Sequence, residues 1–412
     1  MAIPVRPILS ALTRHKAGVF LVALQVALTL AIVANALFVI NQRVIYISRP
    51  TGIDESNIVV VDNRWVGALT PEQAQAKTAA DLAMLRQLAG VADAYADYSF
   101  PGAGPWATLW GIGLDANQKS PTTYSEAYFT DEHALNTYGV RLVAGRNFRA
   151  DEVTPGSQLE QSTGGPIIIT QDLAKKLFPA QSSLGKAAYV GGVPRTIIGV
   201  ISDMEVPAVG TRTFAYRSVL SPIRWADLGG DQYIVHANPG QAEHLRLSLA
   251  ATLYQVSRER VIDAVDGVQS FRALRNKAYS RDRGLIILLT AASIILLLAT
   301  AGGIVGITVF WVDERRRQIG LRRALGAKRS DVLAHILTEN FFIIFMGVLV
   351  GSLLAFAVNI ALMHYLEMTR LPTMYIALGS ALLLMLGQCA ALTPARRAAR
   401  MSPMEATRAA IV

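Results

Sequence analysis

Four long apolar runs dominate the pattern of hydrophobic and polar positions along the chain. Ala17–Ile40 and Gly284–Trp311 contain no charged residue over 24 and 28 positions, and Phe341–Met363 and Thr373–Thr393 are equally free of charge. A helix crosses a bilayer with about 20 mostly apolar residues, so the pattern predicts four membrane-spanning helices. The first run is longer than the apolar segment of a signal peptide, about 7–15 residues, which favours a retained anchor over a cleaved leader.

The apolar runs divide the chain into membrane segments and polar segments. About 240 residues of ordinary globular composition separate the first span from the second, whereas about ten separate the third from the fourth. In chain order the predicted segments are a tail (1–16), a first span (17–43), a large polar domain (44–283), a second span (284–311), a connection (312–330), a third span (331–363), a short loop (364–372), a fourth span (373–393) and a tail (394–412).

The large polar domain begins and ends with a strand–helix–strand pattern. Ile58–Asp62 (IVVVD) predicts a buried strand, and Thr70–Gln73 has the N-cap, first-turn proline and Gln of a helix start. The helix is predicted to end at Gly90, before the extended segment VADAYADYSF. A second unit follows the same order: strand QYIVHA, helix Gln241–Gln255 and strand RVIDAV.

These two units, at approximately 52–120 and 216–270, flank a central segment that predicts an inserted subdomain (121–215). The central segment contains the apolar strand GGPIIIT and the helix QDLAKKLF. It also contains AAYVGGVPRTIIGVISD, a predicted hairpin that turns at Gly191–Gly192. Strands and helices in this mixture predict an α+β domain.

Composition and charge distribution support the membrane interpretation and predict an orientation. The chain is 52% hydrophobic and 17% charged, against about 25% charged in an ordinary soluble domain. The two tails and the connection hold 14 of the 39 Lys and Arg, whereas the short loop holds only Arg370. Cytoplasmic segments carry the excess of Lys and Arg. The predicted fold class is a membrane protein of four transmembrane helices, with a large α+β extracytoplasmic domain inserted between helices 1 and 2. The charge distribution further predicts that both termini are cytoplasmic.

A strongly basic stretch lies in the connection between the second and third spans. Seven Lys or Arg fall within the sixteen residues Arg315–Ser330. Such a run is typical of a nucleic-acid surface, a membrane-surface anchor or a docking site for a protein. A surface held against a bilayer does not reach a duplex, so nucleic acid is not predicted as a partner. Binding to membrane lipids and docking of a cytoplasmic protein remain as alternatives.

The apolar residues of this stretch favour a short amphipathic helix. Within Asp313–Leu325, one broad face is predicted to hold Ile319, Leu321, Ala324 and Leu325, with arginines on the other side. Gly326 is predicted to end the helix with a positive φ angle, and Ser330–Asp331 to cap the helix that leads into the third span. One interpretation is a passive lipid anchor, and the other is a lever on which a cytoplasmic protein pushes.

No catalytic or metal-binding pattern occurs in the sequence. It has no G-x-S-x-G, no H-E-x-x-H and no P-loop, so we predict no catalytic, cofactor-binding or metal site and no ATP hydrolysis by this chain. The single cysteine, Cys389, excludes an intrachain disulfide. His335 and Glu339, four residues apart, are interpreted as a structural pair rather than zinc ligands. Four acids of the polar domain are interpreted as solvated loop charges: Asp54, Glu55, Asp151 and Glu152.

Four uncharged polar side chains lie inside the predicted spans: Gln25, Thr29, Asn35 and Asn359. Polar groups in a membrane are often functional, but uncharged ones commonly form hydrogen bonds between helices. We therefore predict interhelical contacts for these residues, with substrate contact as the alternative.

The basic stretch resembles the coupling-helix motif of the MacB/FtsX-type ABC permeases, whose pattern is E-I-G-x-x-[KR]-A-[LI]-G-A. The motif and its neighbours predict an ATPase-coupling site formed by Glu314, Arg315, Gln318, Ile319, Gly320, Arg323, Ala324, Leu325, Gly326 and Ala327. Gln318 stands where the family often has Glu. The segment TPARRAARMSPMEATR is similar to the family's C-terminal tail, with Thr407 in its penultimate place.

The polar domain adds two further matches to the same family. YFTDEHALNTYGVRLVAGRNF resembles the YF…LxxGRxF stretch of the MacB-like periplasmic core domain. IIITQDLAKKLFPAQSSLGKAAYVGGVPRTIIGVISD resembles its A-x-x-x-F…V-V-G-V-x-x-D stretch. The four motifs occur in the family's order and cover essentially the whole chain. No ATPase resembling that of the fused macrolide exporter precedes the first span, so the ATPase is expected on a separate chain.

The resemblance implies a dimeric permease of the bacterial inner membrane that couples ATP hydrolysis to motion of its outer domain, a cycle called mechanotransmission. Its implied partners are a cytoplasmic ABC ATPase that carries the ATP and Mg, a second permease protomer, identical or different, and a periplasmic adaptor protein, besides membrane lipids. The implied function is efflux of a peptide, antibiotic or lipid-like substrate. Control of an extracytoplasmic cell-wall hydrolase and extraction of lipoproteins share this topology and remain alternatives.

Overall fold

The computed structural model describes residues 16–97, 99–102, 108–116, 118–156, 164–207, 213–224, 228–366 and 370–400. The described chain forms two compact units, a globular one at Ser48–Arg281 and a helical one made from the segments on either side of it. Most of the predicted N-terminal tail, and the C-terminal motif beyond Arg400, lie outside the described residues.

The helices are α1 (Lys16–Ile47), α2 (Pro71–Gln87), α3 (Ala134–Tyr138), α4 (Gln171–Leu177), α5 (Ala242–Val256), α6 (Phe271–Ala278), α7 (Ser280–Glu314), α8 (Arg316–Ala324), α9 (Arg329–Leu366) and α10 (Thr373–Arg400). The strands are β1 (Ile58–Trp65), β2 (Val91–Ala96), β3 (Thr108–Gly113), β4 (Thr123–Phe129), β5 (Leu142–Gly145), β6 (Thr154–Pro155), β7 (Pro166–Thr170), β8 (Ala187–Val190), β9 (Val193–Ile201), β10 (Ser218–Ser221), β11 (Ile223–Arg224), β12 (Gly230–Ala237), β13 (Arg260–Val261) and β14 (Val268–Ser270).

Four helices in the described part of the chain, α1, α7, α9 and α10, are long and apolar enough to cross a membrane, which confirms the predicted fold class. Each helix is longer than its apolar run. Helix α7 already includes Arg281, Asp282 and Arg283 before the run begins, and α10 continues through Pro394 to Arg400. Backbone hydrogen bonding continues wherever the residues tolerate a helix, whereas hydropathy marks only the stretch in lipid.

Small residues allow α1 and α9 to pack closely within the helical unit. A Cβ at Gly347 would lie 2.7 Å from the carbonyl oxygen of Ala23, and one at Gly351 would lie 2.8 Å from that of Ala27. No side chain fits at such distances, so the two backbones meet directly, as small-xxx-small patterns permit in membranes. Val26 and Leu30, on the same face of α1, are completely buried.

The globular unit contains a five-stranded sheet built from the two predicted strand–helix–strand units. Its order is β13-β1-β12-β2, with β14 also paired to β1. Strand β12 lies antiparallel between β1 and β2, so the sequence units interleave as a split β-α-β arrangement. The predicted capping box of α2 is confirmed: Gln73 N–H donates to the Thr70 hydroxyl, and the Thr70 N–H donates to the Gln73 side chain.

The last predicted strand of this sheet is shorter than the sequence indicates. Of the segment RVIDAV, only Arg260–Val261 pairs, with the end of β1. The Asp263 side chain accepts hydrogen bonds from the N–H groups of Val265 and Asp266, at 2.8 and 2.7 Å. An aspartate that bonds its own following backbone favours a turn, which ends the strand.

A second sheet has the strand order β5-β9-β7-β10-β4-β3-β8, and β8 pairs again with β9. The path from β9 to β8 therefore closes into a six-stranded barrel, with β5 attached to β9. The predicted hairpin is confirmed, since Val190 pairs with Val193 across Gly191–Gly192. The sheet extends beyond the predicted insert (121–215) at both ends, because β3 and β10 belong to it.

Strand β1 is buried on both faces and takes part in two hydrophobic clusters. Ile58 and Val60 pack in a cluster that includes Tyr95 and residues of the second sheet. Val59 and Val61 face the opposite way, into a cluster formed with α2 and α5. Alternate residues of a strand point to opposite faces, so the four apolar residues that begin β1 supply both cores.

Candidate functional site

The connection between the second and third spans is the candidate coupling site. Helix α8 occupies Arg316–Ala324, shorter than the predicted connection (312–330), because α7 continues to Glu314 and α9 begins at Arg329. Gly326 has a φ of +99°, as the sequence predicts. Gly326 N–H donates to the Arg323 carbonyl, and Ala327 N–H donates to the Arg322 carbonyl, the pattern of a Schellman cap.

The predicted cap of the next helix is only half correct. Ser330 lies inside α9, not before it, and the N–H of Lys328 donates to Asp331 Oδ2 at 3.0 Å. Asp331 therefore sits in the first helical turn, where a carboxylate also favours the positive end of the helix dipole. The sharp turn from α8 into α9 is fixed by the glycine on one side and by this aspartate on the other.

Much of the apolar surface of α8 is exposed in the isolated chain. Leu321 is 63% exposed and Leu325 is 81% exposed, whereas Ile319 is half-buried and Gly320 is buried. Exposed leucines of this size carry apolar surface that a partner protein or the membrane interface would cover. The predicted apolar face is thus present, although Ile319 already packs inward.

Two arginines of the motif are committed to contacts inside the helical unit. Arg315 Nη1 donates to both carboxylate oxygens of Glu339 on α9, at 2.8 Å each. Arg323 Nη1 donates to the carbonyl oxygen of Ala399 on α10, at 2.7 Å. The two ends of α8 are therefore bonded to different membrane-spanning helices. Charged donors make these hydrogen bonds stronger than neutral ones.

The predicted site residues thus divide into an inward set and an outward set. The inward set, buried or bonded within the unit, is Arg315, Gly320 and Arg323. The outward set, exposed to the surroundings, is Glu314, Gln318, Ala324, Leu325 and Gly326. Ile319 and Ala327 are intermediate. The sequence pattern placed all of these residues together but did not distinguish which of them a partner can touch.

The polar residues inside the spans bond mainly to neighbouring helices. Gln25 Nε2 donates to the Ala299 carbonyl at 3.1 Å, and the Thr29 and Thr300 hydroxyls are 2.8 Å apart, so both join α1 to α7. The third residue on α1, Asn35, donates to the Ala355 carbonyl of α9 at 3.1 Å.

Asn359 makes a different contact from these three residues. Its Oδ1 accepts a hydrogen bond from the N–H of Leu371 at 2.9 Å, which ties α9 to the segment just before α10. His335 Nε2 lies 3.6 Å from Glu339 Oε1, and both carboxylate oxygens of Glu339 already accept from Arg315. Arg315 and Glu339 therefore form a structural ion pair near the N-terminal end of α9, with His335 beside it.

The interpretation of four acids as solvated loop charges is wrong for three of them. Glu55 accepts from Arg275 at 2.8 Å, and Asp54 accepts from Ser56, Asn57 and His236. Arg146 binds Glu152 through two hydrogen bonds and lowers the pKa of that carboxyl to about 2. Arg275 and His236 are distant in sequence and leave no local signal at the acid, whereas Ser56, Asn57 and Arg146 lie within six residues of the acids that they bind.

A buried carboxyl that the sequence did not indicate lies in the globular unit near the Glu55–Arg275 ion pair. Glu205 is 3% exposed; its Oε1 accepts a hydrogen bond of 3.4 Å from the Tyr279 hydroxyl, and its Oε2 has no hydrogen-bond partner among the described residues. Burial raises the pKa of Glu205 from 4.5 to about 7, against the lowering effect of Arg275 and Arg49. The group is therefore poised to titrate near neutral pH.

Comparison with known proteins gives the family of the chain. Residues 17–253 match the model of the MacB-like periplasmic core domain, and residues 290–403 match that of the FtsX-like permease C-terminal domain. The chain belongs to the MacB-like family of ABC transporter permeases. The family resemblance predicted from the motifs of α8 and of the globular unit is thus confirmed. The large domain of this MacB-like permease corresponds to the family's periplasmic core domain.

Individual relatives are distant. The macrolide export ATP-binding/permease protein MacB of Chromobacterium violaceum is 26% identical over 275 residues, which cover 65% of this chain and 41% of that protein. The uncharacterized ABC transporter permease YvrN of Bacillus subtilis is 25% identical over 297 residues, covering 69% and 70%. The chain spans about two fifths of the MacB relatives that it matches.

Among solved structures, the periplasmic region of MacB from Actinobacillus actinomycetemcomitans aligns with 55% of this chain and 94% of its own length, at 12% identity and a TM-score of 0.32.

Proposed function

We propose that the chain is the permease subunit of an ABC transporter of the mechanotransmission type. In this proposal a separate cytoplasmic ATPase binds α8, and its ATP-driven movement is passed through the membrane helices to the globular domain. The observation that carries the proposal is the geometry of α8: an exposed leucine face on one side and, on the other, bonds from Arg315 and Arg323 to two different spans.

The proposal includes an orientation in the inner membrane. The termini and α8 are cytoplasmic, and the domain at Ser48–Arg281 is extracytoplasmic, because the basic residues concentrate in the tails and in the connection. This orientation is supported by the description of the matched domain as periplasmic. It puts the exposed leucines where a cytoplasmic ATPase reaches them.

The bonds of α8 suggest how a displacement would be transmitted. A push on the leucine face would move Arg323, in the last turn of α8, together with Arg315, which directly precedes α8 and whose carbonyl accepts a hydrogen bond from the N–H of Ile319. Arg315 would displace α9 through Glu339, and Arg323 would displace α10 through the Ala399 carbonyl. In this scheme the two arginines are positioning residues, and the leucines make the contact with the ATPase.

The proposed substrate is a peptide, antibiotic or lipid-like molecule exported from the outer face of the membrane. Support comes from relatives named for macrolide export, one of which aligns with 65% of this chain at 26% identity. The proposed partners are the cytoplasmic ATPase, a second permease protomer and a periplasmic adaptor, with ATP and Mg bound by the ATPase. Regulation of a hydrolase and lipoprotein extraction would be distinguished by the outer partner that co-purifies.

The first test is Leu325→Asp, measured by co-purification of the ATPase from membranes and by its stimulated ATP hydrolysis. Leu325 is 81% exposed, so the variant should insert and fold normally. At an interface with the ATPase, the change would remove an apolar contact of about 2 kcal/mol and leave a carboxylate to be desolvated. We expect at least about a tenfold loss of complex, since about 1.4 kcal/mol corresponds to tenfold.

The matched control is Arg317→Gln, which removes an exposed charge from the same helix. A passive lipid anchor would depend on the arginines, because each basic residue near anionic lipid contributes about 1 kcal/mol. The coupling proposal therefore expects normal complex recovery from Arg317→Gln and poor recovery from Leu325→Asp. The reverse order would refute it in favour of the anchor.

The second test is Gly326→Val, with Gly326→Asn as its control. No atom of the described residues lies within 4 Å of a Cβ built on Gly326, so the cost expected for valine comes from the φ of +99°. A β-branched residue disfavours positive φ, whereas Asn tolerates it better. We expect valine to impair ATPase stimulation and asparagine to retain most of it. Equal activity of the two variants would show that the turn geometry is not needed.

A further inference from the structure

An arginine inside the barrel of the globular unit has no counter-charge among the described residues. Arg195 lies on β9 opposite Ala188 of β8 and is only 6% exposed. Ala188 and Ile197, which lie on the same side of this strand pair, are completely buried in the cluster that fills the barrel. The long cationic side chain therefore occupies one end of an apolar interior.

The guanidinium of Arg195 lacks the partners that such a group needs. Its Nε is enclosed without a hydrogen-bond partner, and no described residue forms an ion pair or a side-chain hydrogen bond with it. Burial lowers the pKa of Arg195, with no nearby acid to oppose the effect. A guanidinium starts from a pKa above about 12, however, so it stays charged.

Another buried arginine of the same unit shows how this chain satisfies such a charge. Arg260 is 3% exposed and donates to both carboxylate oxygens of Asp81, at 2.7 and 2.9 Å, and to Asn63 at 3.2 Å. Its guanidinium also lies 4.8 Å from the ring centre of Trp65. Arg195 is buried almost as deeply and has no comparable partner in the described part of the chain.

The backbone beside Arg195 leaves space next to its terminal nitrogen. Gly164 and Gly165, which precede β7, have φ angles of +81° and +144°. A Cβ on Gly165 would lie 3.4 Å from Arg195 Nη1, so the glycine leaves that side of the guanidinium free of a side chain of its own, and no described residue forms an ion pair there. Any larger residue would occupy the place in which a counter-anion has to sit.

We propose that Arg195 anchors an oxyanion-binding site at this end of the barrel, which takes the carboxylate or phosphate group of a ligand. A planar guanidinium fork matches both groups with two parallel hydrogen bonds. Arg195 is only 6% exposed and its Nε is enclosed, so its charge is poorly hydrated, and a bound anion would offset that cost as well as add contacts. The site lies wholly within the globular unit and does not depend on the proposed coupling function.

The test uses the full-length permease in mild detergent and inorganic phosphate as the probe, with acetate as the carboxylate probe and chloride as the baseline at equal ionic strength. Thermal unfolding and calorimetric titration are measured for wild type and for Arg195→Met. We expect saturable phosphate binding by the wild type. At a concentration ten times the dissociation constant, the folded-to-unfolded ratio should rise about elevenfold. Arg195→Met should show no anion-specific change.

The matched control is Arg141→Met, which removes an exposed arginine from the same globular unit. It should retain the wild-type response, whereas a general salt effect on the protein surface would stabilise all three chains equally and refute the site. Comparison of phosphate with acetate distinguishes the two kinds of ligand group. If Arg195→Met does not fold, the wild-type titration still decides: no saturable uptake of either anion overturns the proposal.

Discussion

Glu205→Gln should stabilise the globular unit at neutral and alkaline pH. Glutamine has the shape of the protonated carboxyl but cannot ionise, so it keeps the uncharged form that burial favours. The carboxyl of Glu205 is enclosed next to Tyr279, and in the described part of the chain no group forms a hydrogen bond with its Oε2. The charged groups around it are Arg49 and Arg275, which favour ionisation, and Glu55, which opposes it.

The magnitude follows from the pKa of Glu205, which burial raises from 4.5 to about 7. Each pKa unit corresponds to about 1.4 kcal/mol, so the ionised form of Glu205 costs the folded state about 3 kcal/mol. Below pH 4.5 both states are protonated and no cost arises. Between pH 4.5 and 7 the unfolded state binds fewer protons than the folded state, so the free energy of unfolding falls as pH rises. Above pH 7 the full cost is present.

The assay is denaturant unfolding of the full-length permease in detergent, followed by tryptophan fluorescence between pH 4 and pH 8.5. The free energy of unfolding of Glu205→Gln should exceed that of the wild type by a difference that grows with pH and levels off above pH 7. Glu243→Gln is the control, since it removes a carboxylate from the surface of α5 and should follow the wild-type pH profile. Parallel pH profiles for wild type and Glu205→Gln would refute the reasoning.

Three further outcomes are expected. Arg260→Met leaves a buried aspartate without its cation and should lower the free energy of unfolding by about 3–5 kcal/mol, measured by the same denaturation; a loss below about 1 kcal/mol would contradict a desolvated pair. After Cys389 is replaced by alanine, a cysteine at Gln181 should react with an impermeant thiol reagent in spheroplasts, and a cysteine at Lys328 should not. The opposite labelling would show that the proposed membrane orientation is wrong. Glu339→Gln should leave ATPase binding intact but reduce the amount of substrate transported per ATP hydrolysed, which is measured as vesicle uptake divided by phosphate release. An unchanged ratio would show that the ion pair between Glu339 and Arg315 is not needed for coupling.

The membrane spans were predictable because each depends on a local property of the chain, namely about 20 consecutive apolar residues. The helix ends were not, because α7 and α10 continue through Arg283 and Pro394, where hydropathy has already fallen. Strands show the same limit. The apolar strand β1 was predicted from its own residues, whereas β3 was missed because its six residues, TLWGIG, contain two glycines and have no clear alternation.

The coupling segment shows which part of a site a sequence can predict. Spacing of apolar and basic residues predicted the helix, and the glycine predicted its end, since both depend on neighbouring positions. The partners of the arginines were not predictable. Glu339 and Ala399 lie 24 and 76 positions away from Arg315 and Arg323, so only the tertiary fold brings them together. Burial of Glu205 likewise results from several distant segments and leaves no local pattern.

The interleaved order of the first sheet also constrains how the protein is made. Among the described strands, β1 pairs only with segments that begin at residue 230 or later, and β2 pairs only with β12, so neither has its partner until the chain beyond residue 230 has been made. The barrel strands, all within residues 108–221, can assemble in the meantime. Folding of the globular unit must therefore close a loop of about 170 residues at a late step, and contacts of such sequence separation form slowly. Until then the nascent chain carries a strand that is apolar on both faces and unprotected at both edges, which makes this the stage at which the protein most needs a chaperone.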